Sequence, residues 1–476
     1  MLYFPQVNIT FNHEDVQAFA QQLRGELIRT SDAEYDQARA VWNGMIDRYP
    51  ALIARCASTR DVVAAVNFAR EHELALAVRG GGHNVAGHAT CDGGLVIDLG
   101  PIKHIAVDPL SRIARVGGGV TWGELDAATQ AHGLATPGGV FSGTGVAGLT
   151  LGGGYGWLRN KFGLSCDNLI GAEVVTASGE VVYASATQNP DLLWGLRGGG
   201  GNFGVVTSFE FQLHPVGPEV MFTFVFHDGS GDNMKRGLQL YRDFSAEAPD
   251  EVSTIAFCGV IPSDPHAYPE AIHGRPFVAF GGLYAGPADE GQRILQPLRD
   301  FGEPLIDASG VMPFVDAQKM FDHEYPEGRR YYWKSLNLSH LDDDAIDTIV
   351  AHARWQPSPL STTDIWHIGG AVKRANDEES AFYGRQASFL VSPEANWDDP
   401  ADDEANIGWL RAFLSDLGRF SDGSRYMNFA GFQEEGNAMI QTAFGPQYER
   451  LAALKAKYDP NNLFSLNQNI QPNNKQ

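Results

Sequence analysis

The residues best suited to chemistry lie in a glycine loop that follows an apolar stretch. The loop runs from Arg79 to Asn84 and contains three consecutive glycines, directly after residues 74–78, which predict a buried strand. Consecutive glycines let backbone N–H groups converge on an anion such as a pyrophosphate, even where side chains bring little positive charge. His83 stands beside this predicted anion site, where its imidazole could act on a bound ligand or simply satisfy the loop.

Two further glycine-rich stretches accompany the first. Residues 142–148 contain the pattern G-x-G-x-x-G, and residues 197–204 contain four consecutive glycines before a predicted strand. A nicotinamide-binding interpretation requires a helix to open within the first of these stretches. Four more glycines follow within residues 152–156, and each one costs a helix roughly 1 kcal/mol relative to alanine. We therefore expect an extended glycine-lined wall, and the three loops together predict a bound dinucleotide.

Two other chemistries fit the sequence less well. His83, His88 and Cys91 have the spacing H-x4-H-x2-C, which resembles no closed zinc site, so we expect no metal. A serine hydrolase is disfavoured because the chain contains no G-x-S-x-G motif.

The loops must be positioned by short strands and helices. Ser58 and Thr59 are good N-cap residues and predict a helix that ends near Glu73, so the first loop ends a strand, helix, strand unit. After residue 215 the apolar stretches become longer, which predicts a second domain. The other predicted elements are strands at 95–99, 104–107, 112–116, 205–213, 220–226, 253–260 and 276–284, helices at 121–133 and 445–458, and a hairpin at 172–184 that turns at 178–179.

Composition limits the class of protein. The chain has 476 residues, enough for two or three domains, and its 35 basic and 58 acidic residues give a net charge of −23. We expect no nucleic-acid partner, because no Lys/Arg cluster forms a basic face. We expect no membrane association either, since no apolar run of 18 residues exists. Residues 1–5 show no signal-peptide pattern, so we expect a cytoplasmic protein.

Five stretches carry a more specific likeness, at residues 78–84, 143–157, 162–168, 197–206 and 458–469. Together they resemble the berberine bridge enzyme-like FAD-linked oxidases of the vanillyl-alcohol oxidase type. The resemblance implies a two-lobed α+β fold. Residues 1–216 would bind FAD, residues 217–424 would form a substrate-binding domain with an antiparallel sheet, and residues 425–476 would return to the FAD-binding domain.

The resemblance also implies which residues hold FAD. His83 matches the histidine that such enzymes bond covalently to the flavin 8α carbon, a tether that raises the reduction potential. Relatives with a second, cysteinyl link carry it eleven residues before the triple glycine, where this chain has Phe141, so we expect a single attachment. The implied cofactor-binding residues are Val78, Arg79, Gly80, Gly81, Gly82, His83, Asn84, Thr144, Gly145, Val146, Ala147, Gly148, Leu149, Tyr155, Val206 and Asn467.

The catalytic groups are harder to assign. Thr144 matches a position where oxidases of this type commonly carry valine, with which threonine is isosteric, and this favours O2 as the electron acceptor. Alcohol-oxidising relatives often have Y-x-N-Y, whose last tyrosine helps to remove the proton, but this chain has Phe429 there. The predicted strand 387–392, where relatives have a lysine, glutamate or glutamine, offers only serines. The base therefore lies elsewhere or the substrate needs none, and Tyr426 is our candidate catalytic residue.

The resemblance implies an oxidoreductase that removes a hydride from a C–H bond next to oxygen or nitrogen of a small organic substrate. O2 would reoxidise the flavin and give H2O2. Two alternatives remain open: a dehydrogenase of the same fold with another acceptor, and a flavin-binding protein that has lost catalysis.

Overall fold

A computed structural model describes residues 12–376, 378–421, 423–431 and 436–473. The chain up to residue 215 forms the first lobe, built on two small sheets and a short strand pair. One sheet has the order β1-β2-β4-β3, with β2, β3 and β4 parallel, and consists of β1 Glu26–Arg29, β2 Leu52–Arg55, β3 Leu76–Arg79 and β4 Leu95–Asp98. The other has the antiparallel order β5-β6-β10-β8-β9 and consists of β5 Ile105–Asp108, β6 Ile113–Gly117, β8 Leu169–Val175, β9 Val181–Ser185 and β10 Val205–Gln212. The short pair is β7 Leu134–Ala135 and β11 His214–Pro215.

A large antiparallel sheet fills the second lobe. Its order is β15-β12-β14-β13-β19-β20-β17, with β16 paired to β12 and β18 to β20. The strands are β12 Glu219–Asp228, β13 Val252–Val260, β14 Pro276–Tyr284, β15 Pro304–Asp307, β16 Gly310–Pro313, β17 Arg330–Trp333, β18 Leu336–Leu338, β19 Thr362–His367 and β20 Phe389–Trp397.

Helices cover both lobes and the C-terminal segment. They are α1 His13–Gln22, α2 Tyr35–Arg39, α3 Thr59–Glu71, α4 Trp122–Gln130, α5 Val146–Leu151, α6 Arg159–Phe162, α7 Pro190–Leu196, α8 Asn233–Glu247, α9 Ala288–Arg299, α10 Phe314–Ala317, α11 Asp343–Ala353, α12 Gly370–Arg374, α13 Asp403–Leu417, α14 Gly436–Phe444 and α15 Tyr448–Tyr458. Within the described ranges, none of these helices combines the length and the apolar character needed to cross a bilayer.

The two faces of the large sheet have different neighbours. Helices α8, α9, α11 and α13 pack on one face and bury side chains such as Val391 of β20. The other face turns toward the first lobe, where Ile255 and Trp366 pack with Tyr155 and Tyr426. Because side chains alternate along a strand, residues two apart on β13, β19 and β20 share this inner face.

The predicted α+β fold with an antiparallel second lobe is confirmed. Helix α3, strand β3 and the β8–β9 hairpin form as predicted, and Gly179 in the hairpin turn has a φ of 81°. The expectation of an extended glycine-lined wall after Gly145 is wrong in part, because helix α5 forms there, with Gly152 as its C-cap. The six residues of α5 precede the glycine-rich stretch 152–156. The low helix propensity of those glycines therefore acts only after the helix has ended. The domain bounds of 1–216, 217–424 and 425–476 stay a prediction.

Candidate active site

A cavity lies between the glycine loops and the inner face of the large sheet. Most residues predicted to bind the cofactor line it, and Tyr426 does so too. Those lining residues are Val78, Gly80, Gly81, Gly82, His83, Asn84, Thr144, Gly145, Ala147, Gly148, Leu149, Tyr155, Val206 and Asn467.

Two predicted residues do not line this cavity. The Val146 side chain is fully buried in the core of the first lobe. The Arg79 guanidinium points the other way, donating to Asp98 Oδ2 at 2.9 Å and to the carbonyl oxygen of Ala38 at 2.6 Å. Through Asp98, the last residue of β4, Arg79 joins the start of the first glycine loop to the neighbouring strand of its own sheet.

The first two glycine loops contact each other through their backbones. A Cβ atom added to Gly81 would lie 2.5 Å from the Gly145 nitrogen, closer than any side chain tolerates. Glycine at both positions thus lets two loops meet at one edge of the cavity, which is the close approach that glycine permits.

The His83 imidazole lies between two aromatic rings in this wall. Trp42 stacks on it with centroids 4.0 Å apart, and Phe141 is tilted against it at 5.0 Å. Burial lowers the pKa of His83 to about 3, so the imidazole is neutral at ordinary pH. Its orientation is fixed before any ligand binds. Sequence analysis missed Trp42, because it lies 41 residues upstream and no local pattern links the two rings.

Five buried polar atoms of lining residues have no hydrogen-bond partner among the residues that the structure describes: His83 Nε2, His88 Nδ1, the Tyr155 hydroxyl, Trp366 Nε1 and Asn467 Oδ1. Unpaired buried polar groups cost free energy, so such a set indicates a ligand that supplies the partners. His88 was also missed; its Nε2 lies 2.9 Å from Gln468 Oε1, and burial lowers the pKa of His88 to about 4.

Tyr426, the predicted catalytic residue, has its hydroxyl oxygen held by backbone and side-chain donors. The amide of Gly154 donates to it at 3.1 Å and Asn428 Nδ2 donates at 2.8 Å. Burial raises the pKa of Tyr426 to about 12, which leaves the hydroxyl protonated at ordinary pH. The residue lines the cavity, but its catalytic role stays a prediction.

A pair of buried carboxyl groups occupies the opposite wall, and sequence analysis missed both. Asp364 of β19 and Glu394 of β20 line the cavity. Asp364 pairs with Ser392 and Thr362 pairs with Glu394, so the two acids are diagonal neighbours on the inner face. The predicted strand ended at Ser392 and therefore did not include Glu394. The observed strand continues to Trp397 and brings Glu394 into the site.

Hydroxyl groups hold both acids in position. The Thr362 hydroxyl donates to Asp364 Oδ1 at 2.8 Å, and the Tyr325 hydroxyl donates to Glu394 Oε2 at 3.0 Å. Burial raises the pKa of both carboxyl groups, and their mutual repulsion raises that of Glu394 further. Each carboxyl group therefore keeps its proton more readily than a free acid does, and whichever member of the pair is ionised is a stronger base than an ordinary carboxylate.

The C-terminal segment completes the cavity through a buried ion pair. Lys455 Nζ lies 2.7 Å from Asp459 Oδ2, and both side chains are fully buried. The same ammonium donates to the carbonyl oxygens of Asn202 and Phe464, each at 2.9 Å. Helix α15 is thereby joined to the third glycine loop, which lines the cavity at Gly200 and Gly201.

A metal site is not apparent in this part of the molecule. Among the residues that the structure describes, no group of three or more His, Cys, Asp or Glu side chains is arranged to hold an ion. His83, His88 and Cys91 do not come together, and burial raises the pKa of the Cys91 thiol to about 12, which disfavours a thiolate ligand.

Known proteins share this architecture along nearly the whole chain. The FAD binding domain family matches residues 50–185, and the family described as berberine and berberine like matches residues 425–471. An FAD-linked oxidoreductase of Dictyostelium discoideum is 32% identical over 96% of this chain and 97% of its own. The (R)-6-hydroxynicotine oxidase of Paenarthrobacter nicotinovorans is 32% identical over 94% of this chain and 97% of its own.

The chain belongs to the berberine bridge enzyme-like family of FAD-linked oxidoreductases. The crystal structure of 6-hydroxy-D-nicotine oxidase from Arthrobacter nicotinovorans superposes with a TM-score of 0.85 at 30% identity, covering 94% of this chain and 98% of that one. This FAD-linked oxidoreductase therefore binds FAD, and the donor set agrees. Backbone glycines, neutral imidazoles and an asparagine carbonyl oxygen suit a flat polar ring system and its pyrophosphate.

Proposed function

We propose that the protein is an oxidase that removes a hydride from a C–H bond next to oxygen or nitrogen of a small organic substrate. The single observation that carries this proposal is the cavity itself, in which the glycine loops and the Asp364–Glu394 pair face each other. When bound, FAD would accept the hydride and pass two electrons to O2, giving H2O2. For each O2 consumed, one substrate molecule gains a C=O or C=N bond and one molecule of H2O2 is formed.

The chain's own residues would handle the proton. Loss of hydride from an alcohol or amine requires the heteroatom to give up its proton, and a carboxylate within reach is a suitable acceptor. Asp364 and Glu394 are the acidic side chains among the described residues that line the cavity. They supply the base that the sequence did not reveal, which favours a working enzyme over a flavin binder that has lost catalysis.

We also propose that His83 alone attaches FAD. A nucleophilic nitrogen must be unprotonated and correctly aimed, and the lowered pKa and the stack on Trp42 support both conditions. Phe141 lies 5.0 Å from His83, and no cysteine is among the described residues that line the cavity, so a second thioether link has no donor.

Intact mass of the denatured protein tests the attachment. We expect a mass increase of one FAD on the peptide that contains His83 and its loss in His83→Ala, with Phe141→Leu as a control that keeps the bond. An unmodified mass in the wild type would reject covalent attachment, and a protein without any flavin would reject the whole proposal.

The rate at which O2 reoxidises the reduced flavin tests whether O2 is the electron acceptor. Thr144 lines the cavity and leucine would be larger there, so Thr144→Leu should slow reoxidation of the reduced flavin by O2 relative to its reduction under anaerobic conditions. If the wild type reoxidises slowly in air and Thr144→Leu changes nothing, the protein is a dehydrogenase with another acceptor.

A further inference from the structure

The described lining of the cavity contains two acidic side chains, Asp364 and Glu394, and no lysine or arginine. His83 and His88 are the other titratable cations there, and burial lowers the pKa of each to about 3 and about 4, so both are neutral. A ligand therefore meets acidic or neutral groups alone, and no cationic side chain among the described lining residues would pair with a substrate carboxylate or phosphate.

Aromatic rings surround the acid pair. Trp333 is the cross-strand neighbour of Glu394, and its ring centroid lies 5.4 Å from that of Tyr325 and 5.7 Å from that of Phe429. Phe257 faces Asp364 across the β13–β19 pair. Aromatic faces attract cations, most strongly where water is excluded. The buried Arg159 lies against the Trp366 ring and donates to backbone carbonyl oxygens rather than to the acids.

Few polar side chains in this part of the cavity are available to a ligand rich in hydroxyl groups. Tyr325 already donates to Glu394, and Asn428 already donates to Tyr426 and to the carbonyl oxygen of Leu149. A sugar would leave most of its hydroxyls unpaired against Phe257 and Trp333, at a cost for each one. The wall is thus suited to a compact apolar body that carries one positive charge.

We propose that the substrate is a protonated amine with an aromatic or other apolar body, recognised by Asp364 and Glu394 within the ring of Tyr325, Trp333, Phe257 and Phe429. This inference rests on the proposed function and names its substrate class. The substrate ammonium lies against Asp364 and Glu394. Its positive charge stabilises the ionised carboxylate, which burial disfavours when the cavity is empty. Its apolar body fills the space between the aromatic side chains and the cofactor wall.

A pair of isosteric probes tests the recognition without turnover. On the FAD-loaded protein, the affinity for 4-hydroxyphenyltrimethylammonium is compared with that for neutral 4-tert-butylphenol, by calorimetry and by the shift of the flavin spectrum. We expect the cation to bind at least about tenfold more tightly. In Asp364→Asn/Glu394→Gln the preference should fall to about one, whereas Asp126→Asn, which removes a buried carboxyl outside the cavity, should keep it.

Equal or weaker binding of the cation by the wild type would overturn the inference, whether or not the double variant folds. A preference that persists in the double variant would also overturn the assignment to these two acids. Peroxide release with N-methylbenzylamine, benzyl alcohol and cellobiose distinguishes failure of the amine inference from failure of the proposed oxidase function. Turnover of the alcohol or the sugar but not the amine would reject the amine and leave the oxidase, whereas a protein without FAD would reject the oxidase itself.

Discussion

Replacement of Lys455 by methionine tests how the C-terminal helix holds the third glycine loop. Methionine keeps most of the side-chain length but removes the ammonium that Asp459, Asn202 and Phe464 share. Removing one partner of a buried ion pair typically costs about 3–5 kcal/mol. Asp459 keeps two backbone donors, the amides of Leu463 and Phe464 at 2.8 Å, so we expect the lower end, about 3 kcal/mol of unfolding free energy.

The same helix offers a matched control. Lys457 Nζ lies 2.6 Å from Asp191 Oδ2, but the two side chains are 55% and 40% exposed. Water and salt screen such a pair, so Lys457→Met should cost no more than about 1 kcal/mol. The two lysines differ in burial, not in the distance to their partners.

Urea unfolding of both variants, followed by tryptophan fluorescence, measures the difference. FAD content after gel filtration is a second measurement, because Lys455 contacts a loop that lines the cavity and Lys457 does not. The reasoning is refuted if the two variants lose the same free energy within about 1 kcal/mol, since burial would then not decide the value of the pair.

Three further predictions concern the site and the contact between the lobes. Trp42→Ala should lower the covalently attached FAD fraction while Trp42→Phe retains most of it, because a ring must stack on His83; equal fractions by intact mass would argue against this. Gly81→Ala should reduce the flavin absorbance of the purified protein, since its Cβ would lie 2.5 Å from the Gly145 nitrogen; an unchanged spectrum would mean that the loops can separate. Burial raises the pKa of Asp126 from 3.8 to about 7, so the folded protein binds this proton more tightly than the unfolded chain and loses stability as pH rises through that window. Asp126→Asn should therefore gain up to about 4 kcal/mol relative to the wild type between pH 4 and pH 8 in urea unfolding, whereas a pH-independent difference would contradict the assignment.

Local features carried most of the correct predictions. Helix α3 begins at Thr59 with Ser58 at the N-cap position, although the Ser58 side chain makes no capping hydrogen bond, and β3 leads into the first glycine loop. Capping and the conformational freedom of glycine act over a few residues, so their consequences can be read along the chain. Helix α5 shows where that reasoning fails, because the glycine density after residue 151 was applied to residues before it.

The ring that stacks on His83 and the acid pair could not be predicted in this way, because their contacts join distant parts of the chain. Trp42 stacks on His83 from a segment with no motif of its own, and the predicted strand ended at Ser392, two residues before Glu394. Tertiary packing brings Trp42 to His83, and the pairing of β20 with β19 continues through Pro393, which lies opposite Thr363.

The sequence by itself determined the family likeness, the glycine loops and the histidine beside them, because these depend on residues that are neighbours in the chain. Only the tertiary structure decided what faces that histidine across the cavity. Asp364 and Glu394 lie thirty residues apart, and the register between β19 and β20 alone makes them neighbours on one face. A shift of one residue in that register would turn one of them into the helix-covered core, where its charge would have no partner.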